Sequence, residues 1–246
     1  LTALPGRRAY QEISYREDAA VGYLEFSFPG GAMSTGQCRR LLAAYRYAQA
    51  RPVRVIVLGG RRDVFANGIH LNVIEAAGDP AAESWRNINA INDLVEAILT
   101  TTDRLTVAAL AGNAAAGGLM LALAADEVWC RAGAVLNPHY RLMGLHGSEY
   151  WTYTLPRRVG AEQAARLTDA CCRSVPRRPC GAATELAEMY RNFYDPREPY
   201  AELRRAFVHK QRPTRTPPHL SRHQAQTGPF RSGRSGEQGT LVAAAR

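Results

Sequence analysis

The chain has no run of eighteen or more apolar residues, so no stretch of it reads as a membrane-spanning helix. It lacks the paired C-x-x-C spacing of zinc sites, and no two His or Cys stand at a helical metal-ligand spacing, so no metal is expected. The five cysteines (Cys38, Cys130, Cys171, Cys172 and Cys180) are odd in number and fit a reducing cytoplasm better than a disulfide framework. The opening LTALPGRRAY has neither an apolar signal core nor an initiator Met, and residues 1–10 read as a linker from a further N-terminal module. Nor does any basic stripe alternate with aromatics. The net charge of +9 drops to +5 when the segment from Pro213, with five Arg and one Glu, is set aside. Nucleic acid and membrane are therefore not expected as partners.

What is present is the composition of a globular domain, with 46% hydrophobic and 22% charged residues over 246. Gln11–Tyr15 and Val21–Phe28 read as a β-hairpin closed by Pro29-Gly30-Gly31. Ser34 or Thr35 then caps a helix running to about Ala50. Val53–Leu58, Leu105–Leu110 and Glu127–Cys130 have the apolar, β-branched character of strands buried in a sheet. Between them, Trp85, Ile88, Ile91, Leu94, Val95 and Ile98 repeat at helical spacing over Ala81–Thr101. Arg158–Leu167, Glu185–Asn192 and Tyr200–His209 read as further helices. Strands alternating with helices indicate an α/β fold.

Two stretches stand apart. Ala108–Asp126 runs from a strand through Ala114–Gly118 into an apolar helix, and Val64–Glu75 passes through Asn67-Gly68 in the same way. Small residues at such turns either permit tight helix–sheet packing or let a ligand approach the backbone. A helix N-terminus after the turn offers free N–H groups to an oxygen carrying negative charge.

F-A-N-G-I-H-L and G-N-A-A-A-G-G-L-M-L-A-L-A-A-D resemble the paired motifs of the crotonase (enoyl-CoA hydratase/isomerase) superfamily. The resemblance implies a crotonase-like ββα spiral whose two backbone N–H groups polarise a thioester carbonyl. Carried onto this sequence, those donors are Ile69 and Gly117, and Ala66, Gly68 and Gly118 are expected to contact coenzyme A. The carboxylates of the hydratases are missing: the position three residues after the middle Gly is Met120, and the other falls near Tyr140. The Asp of the first motif is His70.

N-G-I-H-L-N-V-I-E-A, E-S-W-R-N-I-N-A-I, L-N-P-H-Y, G-S-E-Y-W-T-Y and R-R-A-F-V-H-K resemble, within that superfamily, the HypX (HoxX) family of hydrogenase maturation factors. This implies a C-terminal module that decarbonylates formyl-CoA to carbon monoxide and coenzyme A, without a metal. It also implies a separate N-terminal module using formyl-tetrahydrofolate, a hydrogenase precursor as a possible partner, and possible homo-oligomers. Glu149 is the expected acid/base, with Tyr140 donating or orienting a proton and His70 assisting. Two other readings are an ordinary enoyl-CoA hydratase or isomerase, and an inactive module that binds CoA or docks on hydrogenase. The expected layout is a core over residues 11–170, an irregular segment at 171–182, shortened C-terminal helices at 183–212 and a disordered tail at 213–246.

Overall fold

The alternating N-terminal segments form the expected hairpin. In the computed structural model, β1 (Ile13–Asp18) pairs antiparallel with β2 (Val21–Phe26), and Ala19 in the turn takes φ 51°. The structure describes residues 10–168 and 182–211. The irregular segment around Cys171–Cys180 and the tail from Pro213 lie outside the described residues. The chain divides into a first unit, Leu1–Lys210, to which every element named here belongs, and a second, Gln211–Arg246.

Beyond the hairpin, β2 pairs in parallel with β3 (Val55–Gly59), β3 with β5 (Leu105–Leu110), and β5 with β7 (Glu127–Cys130), giving the order β1-β2-β3-β5-β7. Leu24, Phe26, Ile56, Leu58, Ala108 and Leu110 are buried in its core. The parallel strands are joined by crossovers that contain the helices, as parallel pairing requires. Helix α1 (Thr35–Gln49) opens with a capping box, in which Ser34 and Gln37 satisfy each other's backbone N–H. It packs on α3 (Pro80–Leu99), whose start is capped by Asp79.

The strand end expected before Asn67-Gly68 is β4 (Val64–Ala66), and it belongs to a second, three-stranded parallel sheet with β6 (Asn113–Ala115) and β8 (Leu136–Asn137), in that order. Its strands are two or three residues long, too short to show a period. This sheet places the two glycine-bearing turns side by side, one leading into α2 (Leu71–Glu75) and the other into α4 (Gly117–Leu123).

The single helix expected over Arg158–Leu167 is instead the junction of α5 (Trp151–Val159) and α6 (Ala161–Thr168). Gly160, at φ 81°, breaks the helical path there. Arg158 turns its guanidinium onto the carbonyls of Leu123, the last residue of α4, and of Ala125 and Asp126 beyond it, where a cation suits the helix dipole. The last described helices are α7 (Ala182–Tyr194) and α8 (Tyr200–Val208). Helix α7 packs on α3, and α8 packs on α2 through the buried Arg204–Glu75 ion pair at 2.6 Å. Among the described residues no helix is long and apolar enough to cross a membrane.

Candidate active site

The first turn is held from several sides. Asn67 donates its backbone N–H to the Gly31 carbonyl and its side-chain amide to the Gly30 carbonyl, both at 2.7 Å. Gly68, at φ 81°, takes the left-handed conformation the reversal needs, and its carbonyl accepts from Met33 N–H at 2.8 Å. The next anchored group is His70 N–H, bound to Asn87 Oδ1 at 3.1 Å. Between these fixed residues, Ile69 N–H has no partner among the described residues.

The second turn ends at Ala116, a non-glycine residue at φ 44°, whose N–H is bound to the Asn137 carbonyl at 2.8 Å. Gly117 follows as the first residue of α4, and its N–H likewise has no partner among the described residues, as the first turn of a helix leaves it. The two turns touch. A Cβ on Gly68 would stand 3.1 Å from Gly117 N, and one on Gly118 would strike the Ala66 carbonyl group at 2.2 Å.

A cavity of about 340 Å³ opens beside them, within the size range of small-ligand sites. Ile69 and Gly117 line it together with Tyr140, Glu149 and His139, and its walls are apolar side chains including Leu71, Ile88, Leu145, Met189 and Phe207. Of the remaining expected residues, Ala66, Gly68 and Gly118 are not in the lining. Their small size serves the interlock of β4 with α4. His70 is also outside the lining: its Nδ1 accepts from Val73 N–H at 3.4 Å and caps α2.

Glu149 is 1% exposed, which excludes a solvated helix-start role. Its Oε2 accepts from the Tyr140 hydroxyl at 3.0 Å and from Ser148 N–H at 3.1 Å. Burial pushes its carboxyl up, the Tyr140 bond pulls it down, the charge of Glu185 raises it and the Ser148 bond lowers it, leaving it at about 7. Tyr140 is driven well above the usual phenol range by burial and by Glu149, so it stays a proton donor to that carboxylate. The Ser148 hydroxyl donates to Asn92 Oδ1 at 2.7 Å, and Tyr150 stands in the cap position of α5.

Three buried polar residues escaped the sequence reading. Glu185 of α7 accepts from Tyr150 N–H and Thr152 N–H, each at 2.9 Å, and from the Thr152 hydroxyl; burial lifts its carboxyl to about 7. Asn87 of α3 holds the first turn through His70 N–H, and Asn92 holds the Ser148–Glu149 segment. The only sequence signal for the asparagines was their place in E-S-W-R-N-I-N-A-I and the residues that follow it.

The family model for enoyl-CoA hydratase/isomerase matches residues 16–177, which contain both turns, Tyr140 and Glu149. The chain belongs to the enoyl-CoA hydratase/isomerase family. It is 61% identical over 160 residues to the hydrogenase maturation factor HoxX of Bradyrhizobium diazoefficiens, a match covering 65% of this chain and 28% of HoxX. It is 30% identical over 156 residues to 4-chlorobenzoyl coenzyme A dehalogenase-1 of an Arthrobacter species, covering 62% of this chain and 56% of that protein. Among solved structures it superposes on HypX of Aquifex aeolicus, crystallised with tetrahydrofolic acid, with a TM-score of 0.80 and 39% identity. That match covers 90% of this chain and 49% of HypX, so the chain spans less than half the length of HoxX and of HypX.

Within this family the site departs from the hydratase pattern in a physical way. Met120, where the resemblance leads one to expect a carboxylate, is fully buried in an apolar cluster with Tyr140 and Trp151. Among the described residues, Glu149 is the one carboxylate that lines the cavity.

Proposed function

We propose that this module decarbonylates formyl-CoA to carbon monoxide and coenzyme A, supplying the carbon monoxide that becomes an iron ligand in NiFe-hydrogenase. The observation that carries this reading is that Glu149, the one carboxylate lining the apolar cavity among the described residues, packs against the free-amide residue Gly117.

The thioester carbonyl oxygen sits between the N–H groups of Ile69 and Gly117, which are preorganised for the charge that develops there. Glu149 takes the formyl hydrogen as a proton. The electron pair of that C–H bond stays on carbon, the C–S bond breaks with its pair leaving on sulfur, and carbon monoxide departs. The proton held on Glu149 then passes to the thiolate. The sum is formyl-CoA to carbon monoxide plus CoA, with no net oxidation and no co-reactant. A carboxyl at about 7 suits both halves of this transfer at neutral pH. Tyr140 keeps the carboxylate oriented, and the apolar walls keep out the water that would hydrolyse the thioester.

Hydration of an enoyl thioester is disfavoured because Met120 leaves no second carboxylate to activate water. The likeness to HoxX and HypX supports the link to hydrogenase maturation, a separate formyl-tetrahydrofolate module and a hydrogenase precursor as partner. Incubating the chain with formyl-CoA while a haem reporter records carbon monoxide tests the reading. Carbon monoxide and free CoA are expected in equal amounts. Formate without carbon monoxide would replace the reading with hydrolysis, and retained CoA binding without turnover would favour the docking module.

A further inference from the structure

Helix α3 is amphipathic, yet its buried face carries two amides among Ile88, Ile91, Leu94 and Val95. Asn87 is fully buried and Asn92 is 4% exposed. Asparagine is a poor helix former, and a buried amide must recover its lost hydration through hydrogen bonds. Both residues direct theirs away from the helix, Asn87 to the first turn and Asn92 to the Ser148–Glu149 segment ahead of α5.

Asn87 Oδ1 accepts from His70 N–H at 3.1 Å while its Nδ2 donates to the Met33 carbonyl at 2.9 Å. With Met33 N–H on the Gly68 carbonyl, this fixes the residues on both sides of Ile69. Five residues on, Asn92 Oδ1 accepts from Ser148 Oγ at 2.7 Å and from Glu149 N–H at 2.8 Å. Two donors on one oxygen settle the amide's orientation, because the flipped amide would set its NH₂ against both. Asn92 Nδ2 has no partner among the described residues. Glu149 and Tyr150 are consecutive non-glycine residues at φ 60° and 58°, a conformation that persists only where its surroundings impose it. Asn92 binds the first of them.

We propose that Asn87 and Asn92 are positioning residues, and that their five-residue separation on α3 sets the distance between the oxyanion turn at Ile69 and the acid/base Glu149. Five residues advance a helix by about 7.5 Å along its axis, a fixed length inside a packed element. The proposal rests on the assignment of Ile69 and Glu149 to the reaction.

The two asparagines differ in what an aspartate does to them. Asn92 uses only its oxygen, so Asn92→Asp keeps both accepted bonds and adds a negative charge beside Glu149. Asn87 also uses its amide hydrogens, so Asn87→Asp loses the Met33 bond and sets oxygen against oxygen. The titratable groups already facing or coupled to Glu149 are Tyr140, Glu185 of α7 and Cys38 of α1.

The test uses the full chain as wild type and as Asn92→Leu, Asn92→Asp, Asn87→Leu and Asn87→Asp. The readouts are kcat for carbon monoxide release from formyl-CoA, CoA affinity by calorimetry, melting temperature, and the Glu149 carboxyl titration by infrared difference against Glu149→Gln. Asn92→Leu is expected to lower kcat on the order of 100-fold, with CoA affinity changed less than about threefold. Asn92→Asp is expected to move the Glu149 midpoint up by about one pH unit and to recover the rate above it. Asn87→Asp is expected to behave like Asn87→Leu, with no such recovery. Leucine variants with lowered melting temperature but wild-type kcat and an unmoved Glu149 titration would overturn the proposal and leave the asparagines as packing. If the wild type releases no carbon monoxide, the formyl-CoA reading fails separately. The titration then decides: a Glu149 midpoint unmoved in both Asn92 variants overturns the positioning role, and a shifted one sustains it.

Discussion

Gly117 lies so close to Glu149 that a methyl group on its Cα would stand 2.1 Å from the carboxylate Oε1. The Gly117 turn and the Glu149 carboxylate are therefore one packed unit. Gly117→Ala is expected to displace the Glu149 side chain and lower turnover by about 100-fold while the fold persists, because a side-chain tip can move aside. Gly118→Ala meets the Ala66 backbone at 2.2 Å and is expected to cost about 3 kcal/mol of stability. Gly78→Ala, which meets nothing within 4 Å, serves as the neutral control. Thermal melts and kinetics on the three variants check the ordering.

Glu149→Gln separates chemistry from stability. A single amide oxygen still accepts from Tyr140 and Ser148, so the packing survives while the proton acceptor is lost. In the native fold this carboxyl titrates at about 7, above its ordinary value of 4.5. Between about 4.5 and 7 the folded state therefore binds more protons than the unfolded, and stability falls as pH rises through that window. The variant is expected to melt roughly 5 °C above wild type at pH 8 and near it at pH 5, with turnover abolished.

Tyr140 and Glu185 act on the same carboxyl with opposite sign. Removing the hydroxyl in Tyr140→Phe takes away a bond that lowers Glu149, so the acid limb of the pH–rate profile moves to higher pH. Removing the charge in Glu185→Gln moves that limb lower, since Glu185 raises Glu149. Profiles measured from pH 5 to 9 distinguish the two.

Glu185→Gln also carries a structural cost that Glu149→Gln escapes. Both oxygens of Glu185 accept, from Tyr150 N–H on one side and from Thr152 on the other. The amide NH₂ of glutamine must face one of those donors, which costs about 1–3 kcal/mol. Urea melts at pH 6, where the wild-type carboxyl is mostly protonated, and at pH 8 give the size of the effect.

The legible parts of the molecule were those with a local cause. The 20-residue α3 followed from its apolar period, α1 from its Ser34 cap, and β5 and β7 from short apolar runs between polar turns. Glu149 and Tyr140 came from family likeness, and the structure places them 3.0 Å apart. The rest depends on contacts between distant segments. Glu185 reads as one acidic residue on an amphipathic helix until α7 sets it beneath the start of α5. Asn87 and Asn92 look like weak helix formers until two loops, one upstream and one more than 50 residues downstream, arrive to use them. The three short strands β4, β6 and β8 exist only by pairing with each other. No window of sequence contains any of these partners.

The most direct test is a crystal structure of the chain with an unreactive acyl-CoA analogue bound. The account predicts the carbonyl oxygen within roughly 2.7–3.1 Å of both Ile69 N and Gly117 N, with the Glu149 carboxylate facing the acyl carbon. An acyl group lodged elsewhere, or a carbonyl oxygen reaching neither amide, would contradict it.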